Sequence, residues 1–144
     1  MILEQLNLAV HDMDATVAFY RRLGLAIEVS PDGRHGSSKL ANGLTVEFDT
    51  TDFVPEWDTG WRGGTGGGAV LGFSVGSREE VDRLYAELTG SGHAPHQPPY
   101  DAFWGARYAI VEDPDGHPVG LMSPIDAQRK FWPPAPPPTA SERR

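Results

Sequence analysis

With five histidines, twenty aspartates and glutamates and no cysteine, this 144-residue chain can offer a metal ion only imidazole and oxygen donors. His93 and His96 have a spacing found in zinc sites, but Pro95 interrupts the segment and no second pair accompanies them. His11 stands at a strand-to-helix junction, His117 just after a turn, and His35 follows Pro31-Asp32-Gly33-Arg34. All five are read as surface histidines. No Ser-His-Asp arrangement is visible. The run Gly63-Gly64-Thr65-Gly66-Gly67-Gly68 lacks the lysine and the following helix of a phosphate loop, and reads as a flexible linker.

Aromatic surface is what the chain concentrates. Phe53, Trp57 and Trp61 share one connecting segment with Asp52, Glu56 and Asp58, while Tyr100, Phe103 and Trp104 share another with Asp101. Rings beside carboxylates can stack on a flat compound or hold a cation over a ring face. The same rings can instead anchor a long loop to its own sheet or to a partner chain. Arg107, close behind Trp104, is available to pair a carboxylate or to hold a ligand oxygen.

The elements that must position these groups repeat. Leu3 to Val10 reads as a strand, Asp12-Met13-Asp14 as the cap of a helix from about Ala15 to Leu23, and Gly24 as its stop. Strands at Leu25 to Ser30, Ser37 to Ala41 and Leu44 to Asp49 follow, the last two joined through Asn42-Gly43. The second half opens with a strand at Ala69 to Val75. Ser77-Arg78-Glu79-Glu80 forms a capping box for a helix to about Leu88. Pro95 to Gln97 reads as a short strand, Arg107 to Glu112 as a longer one. The turn Asp113-Pro114-Asp115-Gly116 then leads to Val119 to Met122. A shift of 65 lays Val10 on Val75, Asp12 on Ser77 and Tyr20 on Tyr85; a later shift of 73 lays Gly43 on Gly116 and Val46 on Val119. The expected class is α+β, two βαβββ modules over residues 1–50 and 69–124. A linker spans 51–68, and a proline-rich tail, 125–144, either lies along the domain or a partner or is a disordered end.

A net charge of −8 repels phosphate backbones, so nucleic acid is not an expected partner, and no apolar run approaches the ~20 residues of a membrane span. The N-terminus, Met1-Ile2-Leu3-Glu4-Gln5, has no basic n-region, so a cytoplasmic location is expected.

Asn7-Leu8-Ala9-Val10-His11-Asp12 through Phe19-Tyr20-Arg21-Arg22-Leu23-Gly24 resembles the opening strand and helix of the vicinal oxygen chelate superfamily, which includes glyoxalases, bleomycin-resistance proteins and extradiol dioxygenases. Trp104-Gly105-Ala106-Arg107-Tyr108 through Asp113-Pro114-Asp115-Gly116 to Leu121 is similar to its second-module motif. The resemblance covers about residues 1–124. It implies modules whose sheets curl around a cleft, a small-molecule ligand, and a homodimer.

In metal-dependent members the resemblance implies four inward-facing ligands, on the first and fourth strand of each module. Carried over, these slots fall on Gln5, Glu47, Val70 and Gly120. Valine and glycine side chains cannot ligate, which leaves Glu47 as the one strong donor. The family metal is therefore not expected, nor any other cofactor. Glu47 in an apolar cup becomes a candidate base or cation partner; on the surface it is one more solvated carboxylate. The candidate ligand contacts are Gln5, Asn7 and Glu47 with Trp57 and Trp61 from the first half. From the second half they are Tyr100, Phe103, Trp104, Arg107 and Met122. The first expectation is a metal-independent binding protein for an aromatic or cationic compound such as an antibiotic. The alternatives are a lyase or isomerase using Glu47 as base or a shifted metal site, and an interaction module with no ligand.

Overall fold

Period-two alternation in β1 (Gln5–Val10) sends Leu6, Leu8 and Val10 to one side and Gln5, Asn7 and Ala9 to the other. In the computed structural model, β4 (Thr45–Thr50) runs parallel to β1, pairing Asn7 with Glu47 and Ala9 with Asp49. β3 (His35–Lys39) returns antiparallel, with His35 opposite Asp49 and Ser37 opposite Glu47. A short β2 (Glu28–Val29) completes the order β1-β4-β3-β2. Paired residues share a face, so the alternation of each strand adds up to one apolar and one polar sheet surface.

The apolar surface is covered by α1 (Met13–Arg22). Its first turn is capped by the Asp12 carboxylate, which accepts from the Ala15 N–H at 3.0 Å. The helix buries Met13, Val17, Phe19 and Tyr20, and the sheet answers with Leu8, Val10, Val46 and Phe48. Tyr20 and Phe48, both fully buried, lie 5.0 Å apart between ring centroids.

The structure describes residues 2–65 and 68–139. They belong to two compact units, 1–66 and 67–144. Part of the expected linker is built into the first unit. Residues Val54–Glu56 form a 3-10 turn whose Val54 is buried, and Arg34 bonds Glu56 and the Asp52 carbonyl. Gly66 and Gly67 of the glycine run, and residues 140–144 of the tail, lie outside the described residues.

The second unit repeats the plan. β5 (Leu71–Ser74) is followed by α2 (Arg78–Gly90), β6 (Pro95–Asp101), β7 (Arg107–Glu112) and β8 (Pro118–Met122), in the sheet order β5-β8-β7-β6. The Ser77 hydroxyl accepts from the Glu80 N–H at 3.1 Å, as the capping box requires. Both helices close on a glycine with positive φ. Gly24 and Leu25 donate back to Arg21 and Tyr20; Gly92 and His93 donate back to Thr89 and Leu88. The hairpin turns match too, with Gly43 donating to the Leu40 carbonyl and Gly116 to the Asp113 carbonyl, each at 3.0 Å.

β6 is longer than its prolines suggest. Pro98 and Pro99 have no N–H to give a ladder, and the strand survives because it lies at the sheet edge, with register shifts on either side of Gln97. The tail lies along this unit. The Asp126 N–H donates to the Gly105 carbonyl and the Phe131 N–H to the Phe103 carbonyl, each at 3.0 Å, and the Gln97 side chain donates to the Pro138 carbonyl at 2.8 Å. Among the described residues no helix is long and apolar enough to cross a membrane.

Candidate functional site

The polar face of the first unit's sheet carries the densest chemistry. Glu47 and Asp49 are two residues apart on β4 and therefore point the same way, and strand register brings Asn7 beside one and His35 opposite the other. Asn7 Nδ2 donates to Glu47 Oε2 and to Asp49 Oδ2, both at 3.2 Å. Gln5 Nε2 donates to Asn7 Oδ1 at 2.8 Å, which fixes the amide with its N–H groups toward the carboxylates. His35 Nδ1 lies 2.6 Å from Asp49 Oδ1. These five side chains, with Phe53 and Trp57, line a cavity of 280 Å³.

Charge in this recess is one-sided. Asp49 is only 2% exposed, yet among the described residues neither it nor Glu47 pairs with a lysine or arginine. The nearby Arg34 is committed elsewhere. It bonds Glu56, lies 3.4 Å from the Asp52 carboxylate, and places its guanidinium 4.9 Å from the Phe53 ring centroid. Asp52 has its carboxyl below the usual range chiefly through the Thr50 hydroxyl, which donates to it at 2.5 Å; the Arg34 charge acts in the same direction. His35, Glu47 and Asp49 each offer one ligand atom, all within 4.8 Å of one another, and could hold a metal ion.

The candidates from the second half assemble separately. Tyr100, Tyr108 and Met122 share the sheet face turned away from α2. Trp104 packs edge-on against Tyr108 at 5.2 Å and Phe103 at 5.1 Å, and its Nε1–H points to the Met122 sulfur at 3.4 Å. Phe103 in turn meets Trp132 of the tail at 5.6 Å. Burial pushes the Tyr108 phenol above its ordinary range, and burial plus the neighbouring Tyr108 does the same for Tyr100.

Arg107 is placed apart from this cluster. Odd-numbered residues of β7 face α2, so its guanidinium bonds Asp82 on that helix at 2.8 Å and Asp101 at 3.3 Å. Burial works against its charge, but these two carboxylates outweigh it and raise its pKa. Trp61 does not line the first unit's cavity.

The four slots implied for a family metal do not fit one. Gln5 and Glu47 share the polar face, but Val70 lies before β5 with a half-exposed apolar side chain. A side-chain carbon at Gly120 would come within 2.7 Å of the Tyr108 hydroxyl oxygen, so that volume is already taken. His35 and Asp49 escape a reading of the sequence for ligands, although Glu47-x-Asp49 in a strand is a signal that both carboxylates share a face.

Comparison with known proteins agrees with this architecture. The family model described as Glyoxalase/Bleomycin resistance protein/Dioxygenase superfamily matches residues 2–121. An uncharacterized protein of Mycobacterium bovis is 28% identical over 133 residues, spanning 83% of this chain and 81% of its own. A glyoxalase-related enzyme from Fulvimarina pelagi has a similar structure, with TM-score 0.74 and 24% identity over 88% of this chain and 94% of that one. A lactoylglutathione lyase from Agrobacterium tumefaciens follows with TM-score 0.63 and 20% identity, over 85% and 92% of the two chains. At these identities the two structures establish a shared fold.

Proposed function

The chain belongs to the glyoxalase/bleomycin resistance protein/dioxygenase superfamily, and on that footing we propose that it binds a small cationic compound on the acidic face of its first unit, without the family's four-ligand metal. The observation that carries this reading is the pair Glu47 and Asp49, side by side in a cavity and held by an amide and an imidazole, with no arginine or lysine on them among the described residues. A buried carboxylate in that state favours an incoming positive charge. Phe53 and Trp57 line the same cavity and supply ring surface for the ligand's flat part. At 280 Å³ the cavity lies just below the roughly 300–1,000 Å³ typical of small-molecule sites. It therefore suits an ammonium head group with a short aromatic body. Sequestration of such a compound by a homodimer is the role this reading assigns.

Calorimetry in the presence of a chelator tests it, with phenethylammonium against the oppositely charged phenylpropionate. The ammonium ion is expected to bind and the carboxylate not to. Glu47→Gln should weaken the ammonium ion about tenfold, equivalent to about 1.4 kcal/mol. Equal binding of the two probes, or no binding across a panel of arylalkylammonium ions, would sink the proposal.

A second reading is favoured by one feature of Glu47. Its single hydrogen bond among the described residues, from Asn7, leaves acceptor capacity facing the cavity. There it can serve as the base of a lyase or isomerase. Turnover lost in Glu47→Gln with ligand binding retained would favour this reading over simple sequestration.

A further inference from the structure

We infer that the same face also takes a divalent transition-metal ion, held by His35, Glu47 and Asp49, and that this ion and the organic cation exclude one another. The inference rests on the reading of this face as a cation site. Only Glu47 is shared with the four slots implied for the family, and all three donors come from two adjacent strands of the first unit. Their placement needs no loop to fold over. Glu47 and Asp49 follow one another on the same face of β4, and β3 delivers His35 directly opposite Asp49.

The distances are close to what coordination requires. Tetrahedral bonds of about 2.0–2.2 Å place two ligand atoms about 3.3–3.6 Å apart. The observed atoms already lie within 4.8 Å of one another. The adjustment is therefore at most about 1.5 Å, a matter of side-chain rotation rather than of moving the strands.

A second observation, independent of the donor geometry, points to a cation. Asp49 is almost fully buried, and its partners are one imidazole and one amide. Buried charges in proteins are as a rule paired or bound to metal, and the nearby Arg34 is spent on Asp52 and Glu56. Asn7 Nδ2 lies 3.2 Å from both carboxylates, bridging them as a bound cation would.

One nitrogen with two carboxylate oxygens suits zinc, manganese or nickel better than calcium, which wants six or more oxygens. Three protein donors at the wall of a cavity leave coordination positions open to exchange. Since Glu47 and Asp49 supply the charge for either occupant, only one can be held at a time.

The test is calorimetry of zinc chloride into full-length protein stripped with chelator, with calcium chloride as control. One zinc ion per chain is expected, with no response to calcium. His35→Asn keeps a donor toward Asp49 but removes the ligating ring, and it should weaken zinc by more than roughly tenfold, the least expected from losing even an outer partner of a metal. Glu47→Gln should do the same, with thermal melts confirming that both variants fold. Zinc should also displace bound phenethylammonium. Absence of zinc binding, zinc binding that survives both substitutions, or simultaneous occupancy by zinc and ammonium overturns the inference. Ammonium binding in chelator with no zinc site would discard the metal alone. A zinc site with no ammonium binding would discard the organic ligand alone.

Discussion

Replacing Gly105 by alanine tests whether the C-terminal segment is part of the second unit's fold. Two costs can be read from the structure. Gly105 has φ +94°, where an L side chain costs about 1–2 kcal/mol. Its added carbon would also stand 2.4 Å from the Asp126 carbonyl oxygen, so residues 126–131 must retreat and the 3.0 Å bond from Asp126 to the Gly105 carbonyl must lengthen or break. Losing that bond adds about 0.5–1.5 kcal/mol. Gly105→Ala should therefore destabilise the full chain by about 1.5–3.5 kcal/mol. In a chain ending at Pro124 the obstacle is gone, and only the backbone cost of about 1–2 kcal/mol should remain. Urea unfolding followed by tryptophan fluorescence, on all four combinations of the two changes, gives the coupling energy directly. A Gly105→Ala cost that is the same in both chains would refute the packing argument.

Three further outcomes follow from the packing and the buried phenols. Phe48→Ala removes a fully buried ring facing Tyr20 and should cost about 3–5 kcal/mol in the same urea assay. Gly120→Ala should cost about 1–3 kcal/mol by driving the Tyr108 hydroxyl from its place over β8, and Tyr108→Phe in the same chain should recover part of that loss. Burial holds the Tyr100 and Tyr108 phenols above 10.0, whereas the unfolded chain titrates near that value. The stability they contribute is complete below the unfolded value and falls as pH rises through the folded ones. Phenolate absorbance should show late-titrating tyrosines, one fewer in Tyr108→Phe, and chemical unfolding above pH 10 should show a shallower decline in that variant.

The duplicated plan was readable because caps and turns are written in single residues. The helices begin at Met13 and Arg78 and the last strands at Thr45 and Pro118, offsets of 65 and 73. Part of the drift between them is explained by helix length. α2 has 13 residues against 10 in α1, which moves its closing glycine from an offset of 65 to one of 68, Gly24 to Gly92. The full length of β6 was not readable, because three prolines in seven residues speak against a strand unless its edge position is known.

At the site, Gln5, Asn7, Glu47 and Trp57 were all singled out from the sequence, and the structure brings them to one cavity. His35 was set aside because nothing local in a hairpin tells which residue of another strand it will oppose. Register decides that, and register is a long-range property. Arg107 shows the reverse case. Its parity with the buried Ala109 and Val111 already marks it as facing the helix, a signal that the neighbouring Trp104 obscured.

The prolines of β6 and the tail lying along its unit also bear on how this chain avoids, or accepts, the addition of further strands. An outer strand is open to augmentation only if its backbone N–H groups are free and its flank is clear. β6 fails on both counts, with Pro95, Pro98 and Pro99 lacking the donor and Gln97 tied to Pro138. β2, with two residues, is too short to template a neighbour. Among the four outer strands, β1 and β5 are thus the ones whose length and backbone suit them to extend a sheet. Each unit is in this sense polarised, with one outer strand poorly suited to pairing and the other better suited to it by length and backbone.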